Sequence, residues 1–220
     1  MDEPDFFINK NQGVAIVGLG LIGGSIAGAL KINGFKNIMG IDTQNKAIED
    51  AINKDFIKLG DTEPENILPL AEIVIVCLYP KETAEFIKKH MNDFKYKAVI
   101  TDVSGIKLDL INEINSCLRA DLEFVGGHPM AGSHFRGFDH ANPHLFMDAN
   151  YIITPTDTSS LEAISKIKSL AKILGCKSIS EINPGKHDEA MALASHMPHI
   201  TALALMDMCD VREMGALLGP

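Results

Sequence analysis

The chain has 220 residues, 46% hydrophobic and 22% charged, enough for one large domain or for one domain and part of another. Its formal net charge of −9 offers no basic surface to neutralise phosphates, so nucleic acid is not an expected partner, whereas a small anionic substrate needs only a few local cations. The most apolar run, residues 67–78, is broken by Pro69 and Glu72 and is too short to cross a bilayer, so no membrane partner is expected.

The elements alternate. The β-branched run 13–17 reads as a strand, followed by a glycine-rich turn and an apolar helix to about residue 32. Residues 37–41 are expected to form the next strand and 44–53 a helix. The run 73–78 is apolar without alternation, as a parallel strand covered on both faces should be, and Pro80 opens a helix to about residue 92. A strand at 98–101, a helix at 106–118 and short strands at 123–125 and 151–153 follow. Between the last two, residues 126–150 are rich in Gly, His and Pro and are expected to form a long irregular loop of the kind that carries function. A helix over 159–174 stops at Gly175, a C′ position, and 177–182 supplies the last strand. From Pro184 to about residue 205 the pattern is helical, and Gly219-Pro220 is a poor end for a finished domain. Cys77, Cys117, Cys176 and Cys209 have no C-x-x-C spacing and read as buried, reduced thiols. The acidic start, residues 1–10, lacks a secretion signal, and the cytoplasm is the expected compartment.

The turn Gly18-Leu19-Gly20-Leu21-Ile22-Gly23 follows a strand and opens a helix, and Asp42 ends the next strand 19 residues after Gly23. That order is the context in which G-x-G-x-x-G signals a dinucleotide. Gly18 would allow the tight turn, Gly20 the approach of a pyrophosphate, and Gly23 the close packing of helix on strand, with the phosphates at the helix N-terminus. Asp42 would accept hydrogen bonds from the adenosine ribose and repel a 2′-phosphate, and Lys46 is the only cation nearby, so NAD is favoured over NADP. Residues 1–183 are therefore expected to be an α/β, Rossmann-like domain with a mostly parallel sheet. Residues 184–220 would be the first helix or helices of an all-α domain, most of it missing.

Rossmann ligands bind at the carboxyl ends of strands, where three segments concentrate chemistry. Thr101 to Lys107 contains Asp102, Ser104 and Lys107, Gly126 to Ser133 contains His128, and Ser195-His196-Met197-Pro198-His199 lies in the late helix. A histidine titrating near neutrality suits the removal of a hydroxyl proton as hydride leaves carbon, and His128 is placed for it. The competing reading is a histidine satisfied by loop backbone. Ser104 and Lys107 serve equally as the cap and first turn of a helix. His196 and His199 share a helix face, but no third ligand accompanies them and no metal is expected. One of that pair reads as buried structure and the other as substrate-facing, while His134, His140 and His144 read mostly as solvated loop residues.

With these segments in view, the chain resembles the prephenate dehydrogenase family, which includes arogenate and cyclohexadienyl dehydrogenases. The resemblance runs in order from Val14 to about Leu205. It rests on Val17 to Ser25, Asp102 to Lys107, Gly127-His128-Pro129-Met130-Ala131-Gly132-Ser133 and Ser195 to His199. It implies oxidative decarboxylation of prephenate to 4-hydroxyphenylpyruvate with NAD as cofactor. His128 would act on the ring hydroxyl, Ser104 would orient it, and His199, Ser133 and Arg136 would lie at the substrate. It also implies a helical dimerisation domain and hence a homodimer for a longer parent. Two departures stand out. The family places its serine one residue nearer the lysine than Ser104, and where many members carry an acid after Ser133 this chain has His134. Family members also carry a carboxylate-binding arginine segment beyond residue 220, so this chain is expected to hold NAD but turn prephenate over poorly. Two rivals are weighed: a β-hydroxyacid dehydrogenase, disfavoured by histidines where a lysine would serve, and a non-catalytic NAD-sensing module, which would not need His128. Prephenate and arogenate are not distinguished.

Overall fold

The computed structural model describes residues 8–208. Its strands are β1 (Gly13–Val17), β2 (Asn37–Ile41), β3 (Leu59–Asp61), β4 (Ile73–Val76), β5 (Val99–Asp102), β6 (Glu123–Pro129), β7 (Asn150–Thr154) and β8 (Ser178–Glu181). Between and after them run α1 (Leu21–Ile32), α2 (Asn45–Asn53), α3 (Pro80–Lys89), α4 (Leu108–Asn115), α5 (Leu161–Ile173), α6 (Pro184–Met191) and α7 (Met197–Met208). The strands form one sheet in the order β3-β2-β1-β4-β5-β6-β7-β8. All neighbours are parallel except β6 and β7, so β7 and β8 run against the rest. This is the Rossmann-like, mostly parallel sheet expected from the alternating pattern.

Burial explains the unalternating strands. Val14, Ile16, Ile73 and Ile75 face one apolar cluster with Ile26 and Leu30 of α1 and Ile167 and Leu170 of α5. Ala15, Val17, Val74 and Val76 face the opposite one with Ala84 and Ile87 of α3 and Leu110 and Ile114 of α4. Each strand thus spends every residue on one of two covered faces. Between β1 and β4 the chain order reverses, which parts the loops at the carboxyl ends of these strands and opens a crevice there.

Four expectations need correction. Residues 126–129 are not loop but the end of β6, paired antiparallel with β7. A Cβ on Gly126 would lie 2.2 Å from Thr154 Oγ1 and one on Gly127 2.4 Å from Tyr151 Oη, so close strand packing, not a turn, requires these glycines. β3 escapes the sequence pattern because it is three residues long with Leu59 exposed. The helix expected at 106–118 is only Leu108–Asn115, and the late helix is interrupted by a π-helical segment, Ala192–His196. Cys117 is exposed and not buried, Cys77 and Cys176 are half-buried, and all three are free thiols. Cys209 and Gly219-Pro220 lie outside the described residues. Gly175 does close α5 with φ +85°.

The loop from Met130 to Ala149 folds back over α1. Cβ atoms on Gly24 and Gly28 would approach Phe138 and Pro143 to 2.7 Å, and Ser25 Oγ accepts from Asn142 N at 2.9 Å. This small-residue face of α1 lets the loop reach across the crevice.

Two glycines of the turn separate packing from ligand space. At Gly23 a Cβ would fall 1.9 Å from Gly18 O, whereas at Gly20 it meets nothing within 4 Å. Gly23→Ala is therefore expected to lower unfolding free energy by about 3 kcal/mol or more, and Gly20→Ala to leave it within about 0.5 kcal/mol. Chemical denaturation of the two variants checks this.

Candidate active site

The crevice begins at the glycine turn. Gly18 has φ +86° and donates to Ile41 O at 2.8 Å, which locks the exit of β1 to the exit of β2. Asp42 Oδ2 accepts from Leu19 N at 2.8 Å and Oδ1 from Gln44 N at 2.9 Å, so the acid is held beside the turn with lone pairs to spare. Leu19 is fully buried and serves through its backbone. Helix α1 starts without a side-chain cap or an acid in its first turn, leaving its N–H groups and positive dipole end to whatever enters. An uncapped helix start, a Gly20 whose missing Cβ opens onto the crevice and a fixed carboxylate form a cradle that fits a dinucleotide.

The crevice has a volume of about 580 Å³ and gathers most of the candidates. Gly18, Gly20, Leu21, Ile22, Gly23 and Asp42 line one wall, Ser104 and Gly105 the far end, and Ser133 and Arg136 the folded-back loop. A neighbouring hollow of about 360 Å³, sharing Gly18, Asp42 and Leu78, extends it past Phe86 and His90.

Below its far end lies an ion pair that the sequence reading did not assign. Lys107 Nζ donates to Asp102 Oδ2 at 2.6 Å with both side chains fully buried. The same carboxylate accepts from Ser104 N at 2.9 Å and Gly127 N at 3.2 Å. Removing either partner would strand a buried charge, a loss of about 3–5 kcal/mol. Burial pushes the Lys107 ammonium below its ordinary value, and Asp102 opposes that fall. Ser104 Oγ is buried beside this pair without a hydrogen-bond partner of its own.

His128 stands over this pair. Its Nδ1 is 2.9 Å from Nε2 of the fully buried His187, and His187 Nδ1 is 2.7 Å from Asp188 Oδ1. Asp188 also accepts from Lys107 N and Leu108 N, each at 2.9 Å, so a carboxylate of α6 caps α4 from 81 residues away. Burial works to raise the Asp188 carboxyl, yet the Leu108 N–H and His187 hold it below its usual range. The other edge of the His128 ring packs against Gly105, which lines the crevice: Cε1 and Nε2 each lie 3.7 Å from where a Cβ on Gly105 would stand, while His128 is not itself among the lining residues. Desolvation, with the nearby Lys107 and His187, lowers the His128 imidazolium from 6.5 to about 4. At neutral pH it is an uncharged base.

The structure thus brings the glycine turn, Asp42, Ser104, Ser133 and Arg136 to one crevice, with His128 behind Gly105 at its edge. His199 is exposed on α7, is not among the lining residues, and its Nδ1–H donates to Ser195 O at 2.7 Å. His134 is also exposed, its ring tilted on Phe135. Sequence reading overlooked His187 and Asp188. A His-Asp pair at a helix start has no local signature, and its partners are supplied by tertiary contact alone.

The family model for the nucleotide-binding domain of prephenate dehydrogenase matches residues 26–180, and that for the dimerization domain of the same family matches residues 183–217. The chain is 33% identical over 195 residues to the prephenate dehydrogenase of Bacillus subtilis (strain 168), covering 88% of this chain and 52% of that protein. The chain spans about half the length of that protein and of the prephenate dehydrogenase of Lactococcus lactis subsp. cremoris (strain MG1363), another curated relative it matches. Among solved structures it is similar to prephenate dehydrogenase from Aquifex aeolicus in complex with hydroxyphenyl propionate and NAD+ (TM-score 0.82, 30% identity, 90% of this chain and 68% of that one). It is also similar to Synechocystis arogenate dehydrogenase (TM-score 0.84, 29% identity, 94% and 75%).

The half-buried, neutral imidazole has a consequence for stability. An unfolded His128 takes up its proton near pH 6.5 and the folded one only near pH 4, so the unfolded state binds more protons in between. Stability is complete above the upper value and is lost as pH falls through the window. Compared with His128→Gln, the wild-type chain is expected to lose about 1.4 kcal/mol more per pH unit there. Urea unfolding at stepped pH measures the difference.

Proposed function

The chain belongs to the prephenate dehydrogenase family, and from that premise we propose that it carries the NAD site and the base of an enzyme that oxidatively decarboxylates prephenate to 4-hydroxyphenylpyruvate. The supporting observation is the placement of His128. A neutral imidazole sets Nε2 beside Gly105, a lining residue of the crevice that also holds the dinucleotide cradle.

NAD would lie with its phosphates on Gly18–Gly23 and its adenosine ribose on Asp42, and when bound it supplies the acceptor for hydride. His128 Nε2 accepts the proton of the substrate hydroxyl as the C–H bond at that carbon breaks, and the carboxylate on the ring leaves as CO₂ while its bonding electrons complete the aromatic ring. Ser104 Oγ, buried and unpartnered at the crevice end, hydrogen-bonds the same hydroxyl and holds it toward His128. Arg136 is the cation among the lining residues, and with Ser133 it receives a substrate carboxylate. His199, held by its own helix, would face substrate only across the junction with the helical unit. That unit begins at residue 184 in this reading. Its exposed Leu193, Met197, Ile200, Leu203 and Met206 suit burial in a homodimer. No helix among the described residues is long and apolar enough to cross a membrane, and the family's small-molecule chemistry fits the cytoplasm.

Arogenate differs from prephenate on the side chain, away from the hydroxyl that His128 engages, and is the alternative substrate. NADH formation with each, by the protein carrying this chain, separates the two. His128→Asn is expected to lower kcat on the order of 10² to 10⁴-fold with NAD affinity unchanged. NADH formation with neither substrate, or full turnover by His128→Asn, overturns the reading.

A further inference from the structure

The chain of contacts behind His128 runs Asp188 Oδ1, His187 Nδ1, His187 Nε2, His128 Nδ1. None of the four atoms faces the crevice, and two elements from different parts of the chain must meet to form it. We infer that His187 and Asp188 are positioning residues that fix the tautomer of His128, placing its one proton on Nδ1 and leaving Nε2 bare toward the crevice. This rests on the reading of His128 as the base.

Proton bookkeeping along the chain supports it. Asp188 is an ionised carboxylate that receives two backbone N–H groups from the start of α4, so it can only accept. His187 must therefore carry its proton on Nδ1 to fill the 2.7 Å contact. A neutral His187 is then bare at Nε2 and can only accept there. The 2.9 Å contact to His128 needs one hydrogen, and His128 Nδ1–H is what supplies it. With its single proton committed to the rear, a neutral His128 has a lone pair at Nε2, the nitrogen next to Gly105. The alternative places a second proton on His187 Nε2 and so a full charge within a fully buried ring. A free histidine side chain in water prefers the opposite arrangement, with the proton on Nε2, and that tautomer would present a donor to the substrate hydroxyl and no base.

The design has a second part. Because Asp188 also caps α4, the group that orients the imidazoles is fixed by the helix that follows Lys107, and the relay is held in register with the buried Asp102–Lys107 pair. After His128 takes a proton, the imidazolium has a donor path to a carboxylate two contacts away. In a serine-histidine-aspartate triad the loss of such an orienting carboxylate costs on the order of 10⁴ in kcat through the wrong tautomer, which sets the scale at which a positioning residue acts.

The test is the ¹⁵N–¹H two-bond correlation spectrum of the histidine rings of this chain near pH 7, with the His128 signals assigned by their loss in His128→Asn. The expected wild-type pattern is a protonated Nδ1 and a bare Nε2. His187→Leu removes the acceptor and is expected to shift the population toward Nε2–H. His187→Gln offers an amide oxygen in its place and is expected to keep Nδ1–H. A wild-type ring protonated on Nε2, or a folded His187→Leu chain that keeps Nδ1–H, overturns the inference; should His187→Leu fail to fold, the wild-type spectrum decides alone. The spectrum is read without substrate, so absence of turnover would defeat the proposed reaction and leave this inference standing.

Discussion

A fully buried carboxylate at the end of β5 organises the chemistry of this molecule. Asp102 holds the Lys107 ammonium, the Ser104 N–H and the Gly127 N–H at once, and so ties the loop after β5 to the last residues of β6. A lone buried charge would be ruinous, and a buried pair earns little net stability, because desolvation offsets the Coulomb gain. What the arrangement secures is geometry. Once Asp102 is placed, Ser104 stands at the crevice end and the residue after Gly127, which is His128, emerges beside it. The nearby Lys107 also disfavours a proton on His128, so the ion pair sets the charge state of the base as well as its position.

The remaining features hang on that frame from two sides. On one side the glycine-lined start of α1 brings the Met130–Ala149 loop across the crevice, placing Ser133 and Arg136 opposite the turn. On the other, Asp188 of α6 caps α4 immediately after Lys107. That contact and the one between His187 and His128 join α6 to α4 and β6, through the same residues that surround His128. Packing of α6 and chemistry at the base are therefore linked through one carboxylate, and a change in how α6 sits would be felt at the imidazole.

How much of this is legible in the sequence depends on whether a feature is local. The glycine turn is legible because strand, turn, helix and Asp42 all fall within 30 residues, and each glycine answers to a neighbour or to open space. The continuous apolar strands are legible because a two-sided core leaves no polar face. Gly126 and Gly127 mislead, since their need for no Cβ arises from Thr154 and Tyr151 on the partner strand. His128 can be singled out by the motif around it, and Ser104 by its place in Asp102 to Lys107, but the depression of the His128 pKa cannot, because it comes from burial beside Lys107 and His187. His187 and Asp188 are silent in the sequence: their partners lie 59 and 81 residues away, and no periodicity encodes such a meeting.

The central claim is that the dinucleotide cradle and the base behind Gly105 serve one crevice. It is tested most directly by titrating NAD+ into the ¹⁵N-labelled chain and following the backbone signals of the Gly18–Gly23 turn together with the His128 ring. On this account both sets shift and saturate along the same binding curve. Saturable shifts at the turn with the His128 ring unmoved would contradict it.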